Sequence, residues 1–517
     1  MIKIIKINES FIKIQSDNID DLNILHEWFS KPVKNHWFAP SYKSGQWDGK
    51  IKFFNKVNGT LPYGLIGELF NCTAQNNIRV YIDDKFLKQI KSLNALPDFE
   101  EYAFKNLNPI YSIGGEKELR YYQGDAAKKA LCSKRGLLEH ATRSGKTLTL
   151  FLVINYIYNK LYIKKNLTNI KILFIVPNLG LIKQFIGDFE DYGIDPKIIG
   201  TYSSKSKDTD KPIIVGTWQS LHKNKNLLNQ IAVVVADECH GVQAKVISEL
   251  LSNCTNAKIR LGMSGTIQED EATRFTIIGH IGPVISTIKT KKLVHEGILV
   301  PANIKILQLN YSKEHKKVLK ELYKKYKKKL HEKFEEQPYK LAARLKTLRY
   351  IVEKKFIQAH PKRKKLVKKL IAKHEDETIL CLFNETKFGK SHLEYLQKQF
   401  PNKTILYVDG SIDGDNREAI RQRAINEKGI IIVASLKTFS TGITISNLSV
   451  IIFLWIGKSK TTLLQSIGRG LGKHEDKKYV TVYDLSDLLF YSKKHSIERL
   501  RHYMSESHSA KITEINL

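Results

Sequence analysis

Short apolar runs alternate with stretches of helical periodicity from about residue 115 to residue 517. Many of these runs are continuous and rich in β-branched residues, which is typical of strands buried on both faces of a parallel sheet. They form two series, the first at 171–176, 212–216 and 231–236, and the second at 378–383, 404–408, 429–434, 448–454 and 479–483. The pattern predicts two tandem α/β domains with parallel sheets, over residues 109–300 and 301–517.

Residues 1–108 follow a different pattern. Apolar and polar residues alternate over residues 1–15, which predicts strands with one buried face, and residues 20–29 are typical of a short helix. We therefore expect a small α+β domain ahead of the two larger ones.

Turns and aromatic residues are concentrated between residues 38 and 65 of this amino-terminal domain. Lys43, Trp47 and Lys50 are the residue types that hold bases or phosphates against an aromatic surface. A tryptophan buried beside two tight turns explains the same residues, so both interpretations stay open. On the first of them the domain binds DNA.

The 517-residue chain is strongly basic, with 84 Lys and Arg against 52 Asp and Glu and a formal net charge of +32. Such a surplus is typical of proteins that bind a polyanion or an anionic membrane, although a basic solvated surface produces it too. We interpret it as the mark of a nucleic-acid partner.

Half of this surplus lies in residues 311–375, which hold 23 Lys and Arg against 7 Asp and Glu. Apolar side chains recur at helical spacing between Leu319 and Leu330, which predicts an amphipathic helix. Its densest group of cations is Lys327, Lys328 and Lys329. We interpret the group as a track for nucleic-acid phosphates, the alternative being a solvated helix face. A membrane-surface helix needs a bulky apolar face that this segment lacks, so no membrane partner is expected.

The five cysteines are scattered and form no Cys-x-x-Cys pair, which argues against a disulfide framework and a structural zinc site. The chain starts without an uninterrupted apolar stretch, and its apolar runs are too short to cross a membrane. We expect a soluble protein of a reducing cytoplasm.

A candidate phosphate-binding loop, residues 139–147, lies between an apolar run and a helical run. At a strand-to-helix turn, free backbone N–H groups and the helix dipole both face a bound anion. Gly145 permits close backbone approach, Lys146 is placed to reach phosphates, and Thr147 is a ligand type for Mg²⁺. His140 replaces the first glycine of the strict motif, so the loop alone is weak support for ATP binding.

A second motif, which is acidic, strengthens this interpretation. Asp237 and Glu238 directly follow the apolar run 231–236. A carboxylate at that position is suited to hold Mg²⁺ while its neighbour polarises an attacking water. An acidic helix N-terminus is the alternative explanation. The two motifs follow two different buried strands, and together they predict a protein that uses ATP and Mg²⁺.

The order of motifs resembles that of superfamily 2 helicases, and the resemblance extends over essentially the whole chain. In the first sheet domain the matching segments contain Gln123, Pro177, Gly216, Thr217, Ser264 and Thr266. In the second they contain Asp409, Arg417, Thr441, Gln465 and Arg469. Residues 38–51 and 61–65 are also similar to a phage helicase of this group.

The resemblance implies two RecA-like domains, with ATP in the cleft between them and DNA across their tops. Carried onto this sequence, it implies that Gln123 reads adenine and that Glu238 activates water. The phosphates would be bound by Ser144, Gly145 and Lys146 with Arg143 beside them, and Mg²⁺ by Thr147 and Asp237.

The same resemblance assigns the remaining motifs. Gln465 and Arg469 would complete catalysis from the second domain, with Arg469 as an arginine finger. The nucleotide state would be relayed by His240, Ser264 and Thr266, and DNA would be contacted by Pro177, Gly216, Thr217 and Thr441. Backbone rather than base contacts would let such a motor ignore sequence.

Two departures from the family pattern concern hydrolysis. Gly472 stands where the last motif usually has a second arginine, and the neighbouring Lys473 is a poor substitute for a guanidinium fork. His140 and Arg143 stand where the family more often has small residues or proline.

The function implied by the resemblance is that of a phage ATP-dependent DNA helicase or translocase, moving 3′ to 5′. Its substrates would be branched DNA, namely Holliday junctions, stalled forks and R-loops with RNA–DNA hybrids. The alternatives are a duplex translocase that does not separate strands, an RNA helicase, and an ATP-binding nucleic-acid scaffold with little turnover. Gly472 is the feature that favours the scaffold.

Overall fold

The computed structural model describes residues 1–84, 86–87, 119–163, 170–239, 244–265, 270–440, 445–475, 477–506 and 508–517. The chain divides into two compact units, Met1–Ile288 and Lys289–Leu517. Each contains one seven-stranded parallel sheet, as the apolar runs predict. Within the described residues no helix is long and apolar enough to cross a membrane.

The first unit begins with a four-stranded sheet in the order β5-β2-β1-β6 and a separate ribbon of β3 and β4. Its elements are β1 (Ile2–Lys6), β2 (Phe11–Ser16), α1 (Ile19–Trp28), β3 (Ser30–Pro32), α2 (Pro40–Lys43), β4 (Lys50–Lys52), β5 (Thr60–Pro62), α3 (Ile66–Gln75) and β6 (Val80–Ile82). Ile2, Ile4, Ile12 and Ile14 are buried, so the alternating pattern of residues 1–15 is confirmed as strands with one buried face.

Two arginines, the buried Arg260 and the half-buried Arg135, connect this small sheet to the parallel sheet of the same unit. The Arg260 guanidinium donates to Ser10 Oγ at 2.7 Å and to the backbone oxygens of Leu251 and His280. Arg135 donates to the Glu9 carbonyl at 2.6 Å. Arginine suits these positions because its five donors satisfy several carbonyls that would otherwise be buried without partners.

The parallel sheet of the first unit has the order β13-β7-β12-β11-β8-β10-β9. Its elements are α4 (Tyr121–Ser133), β7 (Arg135–His140), α5 (Lys146–Ile157), β8 (Lys171–Val176), α6 (Leu179–Asp191), β9 (Ile199–Tyr202), β10 (Ile213–Thr217), α7 (Trp218–Leu221), α8 (Lys225–Gln230), β11 (Ile231–Ala236), α9 (Ala244–Asn253), β12 (Ile259–Ser264), α10 (Glu271–His280) and β13 (Val284–Ile288). The runs 171–176 and 231–236 are confirmed as β8 and β11, whose side chains are almost all buried.

The second unit has a parallel sheet in the order β16-β17-β15-β18-β19-β14-β20. Its elements are α11 (Thr290–His295), β14 (Ala302–Asn310), α12 (Lys313–Lys333), α13 (Pro338–Ala359), α14 (Pro361–Ile371), β15 (Thr378–Phe383), α15 (Thr386–Gln399), β16 (Ile405–Val408), α16 (Gly414–Asn426), β17 (Ile431–Ser435), α17 (Leu436–Ser440), β18 (Leu448–Trp455), α18 (Lys460–Gly468), β19 (Val480–Asp487), α19 (Phe490–Ser505) and β20 (Ser509–Asn516). All five predicted runs are confirmed as strands, and β14 and β20 are additional.

The basic segment forms three helices, α12 to α14, on the second unit. Leu319 and Leu322 of α12 pack against the core of the unit, while Lys327, Lys328 and Lys329 are exposed. The predicted amphipathic helix is therefore confirmed, with its cations in solvent.

Candidate functional site

The phosphate-loop sequence occupies the turn between β7 and α5, with Gly145 as the N-cap of the helix. Gly145 has φ +84° and Arg143 has φ +66°, so the loop is wound through left-handed backbone conformations. Such a turn leaves the first N–H groups of α5 available to an anion, and the helix dipole favours negative charge there. Ser144 is fully buried, and its hydroxyl makes no hydrogen bond among the described residues.

Two side chains of α4 hold this loop from below. The Gln123 amide donates to the Gly145 carbonyl at 3.1 Å and accepts from Arg120 N at 2.9 Å. The Tyr122 hydroxyl donates to the Ser144 carbonyl at 2.7 Å. The residue expected to read adenine is thus buried, and both ends of its amide bind backbone groups of the protein.

The close approach of Gln123 leaves no room for a side chain at position 145. A Cβ atom at position 145 would lie 2.1 Å from Gln123 Nε2, in addition to the strain of positive φ. Only glycine fits between the helix and the glutamine without displacing one of them.

The acidic motif faces the phosphate loop from the end of β11. Asp237 N donates to the Ile175 carbonyl at 2.9 Å, which continues the pairing of β11 with β8. Glu238 has φ +45°, and its N–H donates to Asp237 Oδ1 at 2.9 Å. The Glu238 carboxylate lies 3.9 Å from Lys146 Nζ. Both groups are largely shielded from solvent, and they form an ion pair between two motifs that are distant in sequence.

His140, the departure from the strict loop motif, is a core residue. Its Nε2 lies 2.9 Å from Ser286 Oγ of β13, and the side chain has no exposed surface. Burial, followed by the positive charge of Lys146, lowers the pKa of His140 to about 4. The imidazole is therefore neutral near pH 7 and adds no charge beside the phosphate loop.

The strand order places Ser264 near the phosphate loop and the acidic motif. Strand β12 lies between β7 and β11, and Ser264 is paired with Glu139 at the carboxyl end of the sheet. Ser264 is buried between the phosphate loop and the acidic motif. His240, Thr266 and Thr441 lie outside the described residues.

Pro177, Gly216 and Thr217 lie at the same end of this sheet. Pro177 directly follows β8, and Gly216 and Thr217 are the last residues of β10. Thr217 is paired with Val176, which places it beside Pro177. A Cβ at Gly216 would lie 2.8 Å from the Tyr202 carbonyl, so this glycine is required by strand packing. Ligands of parallel α/β sheets bind outside the carboxyl ends of strands, where these residues lie.

In the second unit, Gln465 is buried within α18 and Arg469 is the half-buried C-cap of that helix. Arg417 donates to the Asp409 carbonyl at 3.4 Å. Gly472 is buried and forms a backbone bridge with Leu299.

Lys473, which follows Gly472, is exposed to solvent. The buried cation near the last motif is Lys477, which the sequence pattern did not single out. Its ammonium donates to the carbonyls of Gly470 at 2.9 Å and Ser446 at 2.7 Å. Lys477 therefore fixes the backbone that follows Arg469.

The donor set of the first unit fits Mg²⁺ and a nucleotide. Thr147 lies in the first turn of α5 and offers a hydroxyl oxygen, and Asp237 offers a carboxylate. Magnesium prefers oxygen ligands, and in phosphate-loop enzymes one or two protein oxygens suffice because phosphates and water supply the others.

Three family models match consecutive parts of the chain. They are "DNA helicase UvsW, N-terminal" over residues 2–83, "Type III restriction enzyme, res subunit" over residues 116–269, and "Helicase conserved C-terminal domain" over residues 362–471. Two seven-stranded parallel sheets with these motifs at their carboxyl edges define a superfamily 2 helicase.

Whole-chain similarity identifies the family. The chain is 30% identical over 518 residues to the ATP-dependent DNA helicase uvsW of Enterobacteria phage T4, covering 95% of each protein. It belongs to the UvsW family of ATP-dependent DNA helicases.

More distant relatives share parts of the architecture. A DNA 3'-5' translocase XPB2 of Sulfurisphaera tokodaii is 25% identical over 393 residues, which are 73% of this chain and 84% of that protein. The S. cerevisiae Dbp5 structure, bound to RNA and ADP BeF3, matches the fold with a TM-score of 0.52 at 12% identity, over 83% of this chain and 95% of that one.

Proposed function

We propose that this helicase hydrolyses ATP to move 3′ to 5′ along DNA and to remodel branched DNA, including Holliday junctions, stalled forks and R-loops, in phage recombination, repair and replication. The observation that carries the proposal is the 3.9 Å pair of Lys146 and Glu238. It joins a phosphate-binding loop to an acidic motif, as ATP hydrolysis requires. The direction is supported by the named activity of the archaeal translocase relative.

The residues of the first unit have separate roles in this proposal. Lys146 and the N–H groups of α5 bind the phosphates, while Gln123 keeps the loop in shape from below and takes part in adenine recognition. Glu238 orients and deprotonates the attacking water. Ser264, with His240 and Thr266, relays the nucleotide state to the DNA-binding edge of the sheet.

Mg²⁺ would be held by Thr147 and Asp237, and when bound it would neutralise charge on the phosphates. The guanidinium of Arg469, with Gln465, would stabilise the charge that develops in the transition state, which is worth about 10³–10⁵ in rate for an arginine finger. Each of these assignments can be tested by substitution of a single side chain.

DNA would be bound through its backbone. Pro177, Gly216 and Thr217 lie together at the carboxyl edge of the first sheet, and Thr441 belongs to the matching motif of the second. The exposed cations Lys327, Lys328 and Lys329 add a phosphate track on α12. All five cysteines carry free thiols, which suits a reducing host cytoplasm as the place of action.

The decisive experiment measures ATP hydrolysis with and without a four-way DNA junction, with Lys146→Ala as the inactive control. We expect strong stimulation by the junction that the variant lacks. Strand displacement from substrates with a single 3′ or 5′ tail then reports the direction, and matched RNA substrates separate a DNA helicase from an RNA helicase. Turnover that does not respond to DNA would overturn the proposal.

A second candidate is an ATP-binding nucleic-acid scaffold, favoured by Gly472 at the position where the last motif usually has its second arginine. In that case the wild-type protein would bind ATP and DNA tightly without turnover. Gly472→Arg would then raise the hydrolysis rate.

A further inference from the structure

The amino-terminal part of the first unit carries a short antiparallel ribbon that is separate from the four-stranded sheet. Strand β3 pairs with β4 from Ser30 opposite Lys52 to Pro32 opposite Lys50. Val33 N continues the ladder by donating to the Gly49 carbonyl at 2.8 Å. We call the tip of the ribbon, residues 33–49, the aromatic turn.

Two neighbouring aromatic rings of the aromatic turn are exposed to solvent. Trp37 is 51% exposed and Phe38 is 61% exposed, and their ring centroids are 6.0 Å apart with the planes tilted by 50°. Tyr42 is exposed beside them. Large aromatic side chains are among the most costly to leave in water, and their concentration on one turn marks a binding surface.

The aromatic turn is preorganised by His36. Its Nδ1 lies 2.8 Å from the Val33 carbonyl, and its ring packs edge-to-face on both Trp37 and Tyr42, with centroid distances of 5.1 and 4.6 Å. Gly49 has φ +79°, and a Cβ there would lie 2.4 Å from His36 Cδ2. These contacts fix the backbone of the aromatic turn, so the positions of the exposed rings are defined before any ligand binds.

Trp47 has a different role from Trp37. It is half-buried, and its indole N–H donates to the Lys50 carbonyl at 2.8 Å, which closes the base of the turn. The interpretation of Trp47 as a structural residue is therefore supported, while the exposed rings are those of Trp37 and Phe38.

The charge around the rings is predominantly positive. Residues 30–52 contain five lysines and one acidic residue, Asp48, whose carboxylate is paired with Lys52 at 3.2 Å. Lys34, Lys43 and Lys50 are all exposed. Exposed aromatic faces between cations are the combination that binds single-stranded nucleic acid, because bases stack on the rings while ammonium groups follow the phosphates.

The ribbon is attached firmly to the parallel-sheet part of its unit. Lys31 Nζ forms a 2.8 Å ion pair with Glu271 of α10. The rings of Phe29 and Phe53, at the base of the ribbon, pack on Phe275 of the same helix with centroid distances of 6.4 and 5.8 Å. The base of the ribbon is therefore held against α10 by one ion pair and two aromatic contacts.

We propose that Trp37 and Phe38 stack on unpaired bases at the point where the strands of a branched DNA part. The inference rests on the proposed action on branched DNA and adds a residue-level base contact to it. Stacking is sequence-tolerant because every base has a π-face, so a motor that reads the backbone can use it on any junction.

The test uses the full-length protein without nucleotide and a forked DNA carrying 2-aminopurine at the first unpaired position. Stacking on an aromatic ring changes 2-aminopurine fluorescence, so binding should give a signal that the double variant Trp37→Ala/Phe38→Ala lacks. We expect the double variant to bind the fork about 10- to 100-fold more weakly, since each stacked base contributes severalfold or more. Binding to blunt duplex should change less than threefold.

Tyr81→Ala is the matched control, because Tyr81 is a 47% exposed aromatic residue on β6, in the four-stranded sheet of the same amino-terminal region. It should leave fork affinity and the fluorescence signal unchanged. Equal loss of fork and blunt-duplex binding in the double variant, or an unchanged fluorescence signal, would overturn the inference. Unchanged affinity for all DNA would indicate a protein partner instead and would also overturn it.

The design separates this inference from the proposed function. If wild-type protein shows no DNA-stimulated ATP hydrolysis, the proposed function fails whatever the fluorescence shows. If wild-type protein is stimulated and the double variant keeps the same fork affinity and signal, the aromatic turn alone is eliminated.

Discussion

Lys146 Nζ lies 3.9 Å from the Glu238 carboxylate, so the cation of the phosphate loop and the carboxylate of the acidic motif form an ion pair. Neither group is fully desolvated, and an ion pair of this kind contributes modestly to stability. Its main effect is on position, because the pair keeps the phosphate-binding ammonium of Lys146 close to the carboxylate proposed to activate water.

Glu238→Gln should abolish turnover while ATP binding is retained. Removal of a general base costs about 10²–10⁴ in rate, and the amide keeps the size of the side chain. Steady-state hydrolysis in the presence of DNA measures the rate, and a fluorescent ATP analogue measures affinity. Glu190→Gln, at an exposed position on α6, is the control that should behave as wild type. Activity of Glu238→Gln within threefold of wild type would exclude Glu238 as the base.

Gly145→Ala should weaken ATP binding and lower the melting temperature. The added Cβ would lie 2.1 Å from Gln123 Nε2 at φ +84°, and left-handed backbone alone costs about 1–2 kcal/mol in a non-glycine residue. Gly187→Ala on α6 is the matched control, because a Cβ there has no atom within 4 Å. Thermal unfolding and nucleotide titration of both variants check the prediction, which fails if the two variants behave alike.

Acid should destabilise the first unit through His140. Its pKa is lowered by burial to about 4 in the folded protein, against about 6.5 when unfolded, so the unfolded chain binds more protons between these values. Stability is therefore complete above about pH 6.5 and falls as the pH drops towards 4, by roughly 3 kcal/mol for a shift of this size.

His140→Asn removes this titration and keeps a polar group near Ser286. Melting temperatures between pH 7 and 4.5 should fall less steeply for the variant than for wild type. Parallel curves would show that protonation of other buried histidines, such as His280 and His392, dominates acid unfolding.

Neutralising the exposed lysines of α12 should reduce the salt dependence of DNA binding. Each lost phosphate contact lowers the slope of log affinity against log salt by about 0.9, so the triple variant Lys327→Ala/Lys328→Ala/Lys329→Ala should lose about 2 to 3 units of slope. The exposed lysines Lys205, Lys207 and Lys211 provide a control of equal charge on the first unit. Equal slopes for the two triple variants would mean that α12 is a solvated face.

Arg260→Met should separate the amino-terminal sheet from the parallel sheet. Arg260 is fully buried and donates to Ser10 Oγ at 2.7 Å and to several backbone carbonyls, which methionine leaves without donors. We expect a loss of about 3 kcal/mol or more in the free energy of unfolding. Denaturant unfolding followed by tryptophan fluorescence measures it. Arg501→Met on the exposed surface of α19 should change stability little.

Much of the architecture was predictable from the chain itself. The runs at 171–176 and 231–236 are strands with those same bounds because continuous β-branched residues have few alternatives to a sheet buried on both faces. The turn at Gly145 was predictable for a similar reason, since a strand, a glycine and a lysine at a helix start restrict the local backbone. These features depend on neighbours in sequence.

Other features depend on contacts between distant residues. Strand β20 is largely exposed and has no continuous apolar run, and its pairing with β14 supplies the order that its sequence lacks. His140 looks like a functional departure in the motif, yet burial against Ser286 makes it a neutral core residue. Lys477 looks like one more surface cation, yet three backbone carbonyls surround its ammonium.

The sequence by itself determined the two parallel sheets, the phosphate loop and the basic helix, because periodicity, turn residues and local charge are properties of consecutive residues. Only the tertiary structure decided that Gln123 supports Gly145, that Lys146 pairs with Glu238, and that Trp37 is exposed while Trp47 is half-buried. The physical reason is that burial and pairing are set by the order of strands in a sheet. That order brings together side chains that are far apart along the chain, and their contact cannot be predicted from the sequence around either one.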